Sequence, residues 1–188
     1  LHVGNLRVAL LNYLFAKKHN IKFFLRIDDT DLERSKKEYT ESIISDLKWL
    51  NIQYYDIFLQ SERMNKYIDV FNYLKKKEFI YPCFETTEEL SLKRKILLKQ
   101  GKPPIYDRGS LKLKKSEINS LILSGKKPHW RLKLKDEVIT WEDKIHKQVI
   151  FKNLSISDPV IFRSDELPLF TVTSVVDDAD LNVTHIMR

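Results

Sequence analysis

The chain has 188 residues, of which 43% are hydrophobic and 31% charged, so it is long enough to bury a core and has the composition of a soluble globular protein. It contains no run of 18 apolar residues and no signal peptide, and its single cysteine, Cys83, excludes an internal disulfide framework and favours a reducing compartment. The formal charge of +7 favours a polyanionic partner such as nucleic acid, and a solvated lysine-rich surface explains it equally well.

The first sixteen residues predict a tight turn that enters a helix. Apolar residues recur with helical spacing at Leu6, Leu10, Tyr13 and Leu14. The first turn of a helix carries unpaired N–H groups and the positive end of the helix dipole, so phosphate is its natural ligand. Gly4 leaves room for a ligand, and His2 is an adjacent donor. By itself this motif more often marks the plain start of a helix than a nucleotide site.

Residues 21–27 (IKFFLRI) predict a buried parallel strand, and the acidic residues Asp28, Asp29 and Asp31 follow it directly. In an open α/β sheet, ligands bind beyond the carboxyl ends of the strands. This acidic cluster therefore marks a second candidate binding position.

The order HVGN, LNYLFA, LRIDDTDLERS resembles the catalytic core of bacterial-type glutamyl-tRNA synthetases, class I enzymes whose first signature is a His-x-Gly-His-like motif. The closing residues SVVDD (174–178) and THIMR (184–188) resemble the same core just upstream of its second half. The resemblance implies an α/β fold, with a Rossmann-like parallel sheet of the HUP type interrupted by an α+β insertion domain. It also implies glutamate–tRNA ligase activity, and it leaves open that the tRNA for glutamine is charged as well.

Residues 1–79 are predicted to form the first half of the catalytic domain, without its first strand. A capping box at Ser35–Glu38 starts a helix, residues 51–60 form a connector, and Ser61 caps a further helix that ends in Lys75–Lys77. Helix, strand and two more helices in this order describe half of a Rossmann-like unit.

Residues 80–160 are predicted to form the α+β insertion, and residues 161–188 the start of the second half of the catalytic domain. The insertion begins with a strand at 79–84 and a helix capped by Thr86. A helix at 116–124, a half-buried strand at 130–134 with a cationic outer face, and strands at 138–141 and 148–151 follow. The resemblance implies that the insertion contacts the tRNA acceptor stem. A strand at 159–164, a helix at 169–179 and a strand at 183–188 are expected beyond it.

The resemblance assigns His2 a catalytic role and makes His2, Gly4 and Asn5 the ATP site. Asp28 stands where the family usually carries a glutamate that binds the substrate's ammonium group, and aspartate is one methylene shorter. Asp31 and Arg34 are assigned near the tRNA 3′ end, with a capping acid and its salt-bridge partner as an equal alternative.

Phe170 and Ser174 stand where the family has a tyrosine and an asparagine that line the glutamate pocket, and core packing is the alternative for Phe170. Arg188 keeps the arginine that would neutralise a substrate carboxylate. The implied substrates are L-glutamate, tRNA and ATP with Mg²⁺, in a cytoplasmic monomer. Because Cys83 is a lone thiolate, we expect none of the structural zinc that many family members carry in the insertion.

Three alternatives remain. The first is the truncated paralogue that attaches glutamate to a modified tRNA base, against which HVGN and Leu32–Ser35 argue. The second is glutaminyl-tRNA synthetase, which tends to have Asn-Pro at Asp31-Leu32. The third is a non-catalytic nucleotide- or RNA-binding module. We also expect the chain to be a fragment that is inactive alone, since the resemblance places a strand before Leu1 and a Lys-Met-Ser-Lys-Ser-like loop beyond Arg188.

Overall fold

The computed structural model describes residues 1–31, 34–152 and 155–187, and the chain divides into two compact units. Unit 1 comprises Leu1–Asp69 and Thr173–Arg188, and unit 2 comprises Val70–Val172. The chain therefore leaves unit 1, forms unit 2 and returns.

Unit 1 is built around a parallel pair of strands. Its elements are α1 (Val3–His19), β1 (Phe24–Ile27), α2 (Lys37–Trp49), β2 (Asp56–Leu59), the 3-10 turn Gln60–Arg63, the start of α3 (Met64–Lys76) and most of α6 (Phe170–Asp180). β1 pairs with β2 in parallel, with Phe24 opposite Asp56 and Ile27 opposite Leu59. The prediction of a parallel sheet is thus confirmed. The buried apolar residues of this unit include Ala16, Ile27, Leu47, Ile52 and Tyr67.

Helix α1 begins at the opening motif, as the sequence predicts. His2 is the N-cap residue, with extended backbone angles. Asn20 follows the last turn in the left-handed region at φ 52°, and its N–H donates to the carbonyls of Ala16 and Lys17. Asparagine is one of the few residues that adopt this conformation readily, so it ends the helix.

Four sequence predictions in unit 1 are wrong. Helix α2 starts at Lys37 behind Lys36, without a side-chain cap, and the Ser35 N–H that the capping box would direct to Glu38 donates to the Asp31 carbonyl instead. The connector at 51–60 contains β2, whose four residues are too few for a periodic signal. Ser61 lies in the 3-10 turn ahead of α3. The described residues 183–187 form no strand, since none of the described strands pairs with them.

Unit 2 contains an antiparallel sheet, a separate hairpin and two further helices. Its elements after α3 are β3 (Ile80–Cys83), α4 (Thr87–Lys99), the 3-10 turn Gly109–Lys112, α5 (Lys115–Leu123), β4 (His129–Leu132), β5 (Val138–Asp143), β6 (Lys147–Lys152) and β7 (Val160–Phe162). The sheet has the order β3-β4-β7, and β5 pairs only with β6 among the described strands. Phe71 packs on Trp130 and Phe162 at ring-centre distances of 5.3 and 4.7 Å, and these rings form the core.

Most elements of unit 2 agree with their prediction. Thr86 and Glu89 form the expected capping box at the start of α4, and β3, which contains Pro82, lies at a sheet edge. The prediction that β4 has a cationic outer face is wrong at Arg131. This residue is buried, its Nη1 donates to the Asp158 carbonyl at 2.6 Å, and its guanidinium lies 4.3 Å from the centre of the Tyr106 ring. Stacking and a buried acceptor draw the cation inward.

Candidate active site

The mouth of α1 is shaped by a contact between His2 and Gly4. The Gly4 N–H donates to His2 Nδ1 at 3.1 Å. Because Nδ1 accepts, a neutral His2 ring carries its proton on Nε2. Within the fully described helix α1, Val3 and Asn5 keep N–H groups that have no intrahelical acceptor. A ring donor and two backbone donors therefore occur together at the positive end of a 17-residue helix.

The structure shows a steric reason for glycine at position 4 that the sequence did not reveal. A Cβ atom at this position would lie 3.1 Å from His2 Nδ1 and 3.3 Å from its Cε1. These distances are shorter than ordinary van der Waals contact, so any larger residue displaces the imidazole. Gly4 thus fixes where the His2 ring sits.

Asp28, the residue after β1, is held by a residue of that strand. Arg26 Nε donates to Asp28 Oδ1 at 2.7 Å, and Arg26 Nη1 donates to Asp178 Oδ1 at 2.9 Å. Burial alone lowers the pKa of Arg26, but the hydrogen bond and charge of Asp28, followed by the charges of Asp178 and Asp177, raise it above its ordinary value. Our sequence reasoning missed Arg26, although alternation along a strand places residues 26 and 28 on one side.

The remaining acidic residues after β1 organise the backbone. Asp29 accepts from the Ser61 N–H at 2.8 Å and from its hydroxyl at 2.6 Å. Asp31 accepts from the Arg34 N–H, and its Oδ2 lies 2.9 Å from Arg34 Nε. The salt bridge between Asp31 and Arg34 is the structural alternative that the sequence left open. It does not test a role for either residue in tRNA binding.

The predicted glutamate pocket includes two residues of α6, one helical turn apart. Phe170 is about half exposed and belongs to unit 2, whereas Ser174 is buried and belongs to unit 1. Arg188 lies outside the described residues. The pocket assignments of these three residues stay predictions.

A buried carboxylate that the sequence did not single out ties unit 1 together. Asp177 is fully buried and accepts from Gln60 Nε2 at 2.9 Å, Arg63 Nε at 2.8 Å and the Tyr67 hydroxyl at 2.9 Å. Burial first, and then the hydrogen bond from Tyr67 to Asp177, raise the pKa of the Tyr67 phenol. The charge is therefore matched by one cation and two neutral donors, which is how a buried anion is tolerated.

A cavity of about 690 Å³ lies beside β1 in unit 1. Its lining includes Asn12, Phe15, Phe24, Arg26 and Asp178. Neither His2 nor Asp28 lines it. This cavity therefore does not test the roles predicted for His2 and Asp28.

The comparisons with known proteins add to this geometry. Residues 1–188 match the family model of class I tRNA synthetases (E and Q), catalytic domain. The chain belongs to this family. Glutamate–tRNA ligase 1 of Rickettsia typhi is 52% identical over 188 residues, and that of Rickettsia prowazekii is 50% identical. In both cases all of this chain is covered, and it spans 42% of the relative's length.

Solved class I tRNA synthetases confirm the predicted fold class. The crystal structure of a glutamate tRNA ligase from Elizabethkingia meningosepticum, in complex with its amino acid, superposes with a TM-score of 0.87. It is 28% identical, and the match covers 98% of this chain and 40% of that one. Glutamate-tRNA synthetase from Elizabethkingia anophelis also superposes with a TM-score of 0.87. The described residues of the chain contain no helix long and apolar enough to cross a membrane.

The net positive charge of this synthetase domain comes from unit 2. Unit 2 has 21 Lys and Arg residues against 13 Asp and Glu residues, whereas unit 1 has 12 against 13. Within unit 2, residues 93–135 hold 14 basic residues and 2 acidic ones. Such a concentration attracts a polyanion far more than a net charge of +7 spread over the whole surface.

Residues 83–85 and 106–110 stand where, by the resemblance, many family members carry zinc. In this chain they form a hydrogen-bonded network. Glu85 accepts from the Tyr106 hydroxyl at 2.7 Å and from the Ser110 hydroxyl at 2.6 Å, and Cys83 Sγ lies 3.8 Å from the Tyr106 oxygen. Burial alone raises the pKa of Glu85, but these hydrogen bonds and Lys93 outweigh it and lower that pKa. Among the described residues there is no cluster of three or more His, Cys, Asp and Glu that could hold a metal. These side chains do not fit zinc.

We therefore predict less than about 0.1 equivalent of zinc in the purified protein, because a single thiol cannot complete a tetrahedral site of Cys and His ligands. Elemental analysis after dialysis against a chelator measures this content. One tightly bound equivalent would contradict the prediction. The glutamyl enzyme of a relative with a Cys-rich insertion serves as the positive control.

His129 makes the stability of unit 2 depend on pH. Burial, and then the charge of Arg131, lower the pKa of His129 below its ordinary value of 6.5. Below pH 6.5, His129 binds a proton in the unfolded chain more readily than in the folded chain. The free energy of unfolding therefore falls as the pH decreases. We expect Tm to drop between pH 7.5 and 5.5, and to drop less in His129→Gln, which cannot titrate. Equal drops in thermal unfolding scans of both proteins would contradict this.

Proposed function

We propose that the complete protein containing this chain is a glutamate–tRNA ligase. Glutamate and ATP give glutamyl-adenylate and pyrophosphate, and the glutamyl group then passes to a terminal ribose hydroxyl of tRNA with release of AMP. The observation that carries the proposal is the match of all 188 residues to glutamate–tRNA ligases at about half identity. In this proposal, residues 1–79 and 161–188 belong to the catalytic domain and residues 80–160 form the insertion.

ATP binds at the mouth of α1 in this proposal. His2 Nε2–H and the N–H groups of Val3 and Asn5 face the phosphates, and Mg²⁺ accompanies the nucleotide. Charge builds up on the phosphate oxygens as the carboxylate of glutamate attacks the α-phosphorus, and fixed donors stabilise that charge. No covalent enzyme intermediate is required, so positioning and electrostatics carry the reaction.

Glutamate is held by charge at both of its ends. Asp28 binds the ammonium group, and its shorter side chain is compensated by a bridging water or a backbone shift. Arg188 binds a carboxylate with its two parallel donors. Phe170 and Ser174 complete the pocket with less hydrogen-bonding capacity than the tyrosine and asparagine usual in the family.

Unit 2 is the tRNA-binding part of the proposal. Its excess of positive charge, concentrated in residues 93–135, supports contacts to the phosphates of the acceptor stem. Asp31 and Arg34 lie near the tRNA 3′ end. Phosphate contacts of this kind predict that the affinity for tRNA falls steeply as salt increases.

The test is pyrophosphate exchange by the complete protein, with glutamate or glutamine, and with or without tRNA for each. We expect exchange with glutamate that depends on tRNA, and transfer of labelled glutamate to tRNA. No exchange with glutamate under any of these conditions would overturn the proposal. Exchange with glutamine alone would point to the glutaminyl enzyme instead.

A further inference from the structure

Arg26 stands between two carboxylates of unit 1. Its Nε donates to Asp28 at 2.7 Å and its Nη1 donates to Asp178 at 2.9 Å. A planar guanidinium that is held at two edges cannot rotate freely, so the side chain of Asp28 is fixed relative to α6, which carries Asp178.

The surroundings make the pair of Arg26 and Asp178 stronger than a surface salt bridge. Arg26 is 21% exposed, Asp178 28% and Asp28 40%, whereas the exposed pair Arg163 and Asp165 is 56% and 44% exposed. Partial burial reduces the screening of the charges by water. Arg26 and Asp178 also line the cavity beside β1.

The charge count around Arg26 favours a cationic ligand. Asp177 lies 3.9 Å from Arg26, but it is already matched by Arg63. Among the residues that the structure describes, one guanidinium is therefore shared by two carboxylates, Asp28 and Asp178, which leaves one net negative charge. Arg26 occupies Oδ1 of Asp28, and no other described residue donates to Asp28, so Oδ2 is available to a ligand.

We propose that Arg26, anchored by Asp178, is a positioning residue that fixes Asp28 for the ammonium group of the amino-acid substrate. The proposal rests on the function proposed above, since it requires Asp28 to bind that ammonium group. Arg26 does not touch the substrate. It holds the carboxylate in place, and Asp178 keeps the guanidinium from neutralising Asp28 completely.

The experiment uses the complete protein and tRNA-dependent pyrophosphate exchange, with KM for glutamate, KM for ATP and kcat measured separately. Asp178→Asn removes one charge without changing shape, and Arg26→Gln removes the shared cation. Arg26→Lys keeps the charge but lacks the planar fork from which Nε and Nη1 donate to the two carboxylates. Arg163→Gln is the matched control, because Arg163 pairs with Asp165 two residues away, as Arg26 does with Asp28.

We expect Arg26→Gln and Asp178→Asn to raise KM for glutamate about 10-fold or more, the typical effect of losing a charged hydrogen bond. KM for ATP and kcat should change by less than about 3-fold, because neither depends on this hydrogen bond. The KM for glutamate of Arg26→Lys should fall between those of wild type and Arg26→Gln. Arg163→Gln should leave all three parameters unchanged. A loss confined to glutamate affinity distinguishes positioning from a general structural defect.

Two results would overturn the inference alone. The first is a KM for glutamate in Arg26→Gln and Asp178→Asn equal to that of Arg163→Gln. The second is a parallel loss in all three parameters that Arg26→Lys does not relieve. If Arg26→Gln fails to fold, the isosteric Asp178→Asn decides between these outcomes. A wild-type protein without exchange would overturn the proposed function itself, and the inference with it.

Discussion

Replacing His2 with alanine is expected to lower glutamate-dependent pyrophosphate exchange by the complete protein about 100-fold or more, the usual loss for a donor that stabilises charge in the transition state. The ring supplies the Nε2–H donor at the helix mouth, because its Nδ1 is occupied by the Gly4 N–H. The loss should appear in kcat, since the donor acts most strongly when charge develops on the phosphate.

The matched control is His19→Ala, at the other end of the same helix. His19 packs against Phe15 at a ring-centre distance of 4.3 Å and lies far along α1 from the proposed phosphate position. His19→Ala should keep exchange within about 3-fold, because surface substitutions usually have small effects. Loss of the His2 cap costs only about 1 kcal/mol of stability, so His2→Ala should remain folded. Equal activity of the two variants would contradict the assignment of His2.

Replacing Asp177 with alanine is expected to destabilise the protein by about 3–5 kcal/mol, the range for breaking a buried ion pair. The substitution leaves the Arg63 guanidinium, which is 13% exposed, without its buried partner. It also removes the acceptor of Tyr67 and Gln60, both of which are buried. Urea denaturation followed by circular dichroism measures the change in the free energy of unfolding.

Two further variants serve as comparisons for the destabilisation caused by Asp177→Ala. Asp165→Ala removes an exposed acid whose partner Arg163 is also exposed, and it should cost less than about 1 kcal/mol. Asp177→Asn keeps the shape and part of the hydrogen bonding, so its cost should lie between those of the two alanine variants. A cost for Asp177→Ala as small as that for Asp165→Ala would show that the buried network contributes little to stability.

Local motifs of the sequence predicted their structures well. Helix α1 is confirmed because the helical spacing of its apolar residues is a signal within a few residues. The capping box of Thr86 and Glu89 is confirmed for the same reason. β5 and β6 agree with their predicted strands, since β-branched and aromatic residues and proximity in the chain suffice for a hairpin.

Elements that depend on a distant partner were predicted poorly. β2 has only four residues and exists because β1 lies alongside it. Ser61 was expected to cap a helix, but Asp29, 32 residues earlier, takes its hydroxyl. Arg131 looked like part of a solvated cationic face, and a carbonyl from residue 158 and the ring of Tyr106 hold it inside.

The sequence by itself determined the family, the positions of His2 and Asp28, and the parallel α/β architecture, because signature residues and short-range periodicity are written in consecutive residues. Only the tertiary structure decided that Asp178 anchors Arg26 and that Asp177 matches Arg63 inside unit 1. These ion pairs join residues up to 152 positions apart. Their strength comes from the exclusion of water, which exists only once the chain has folded.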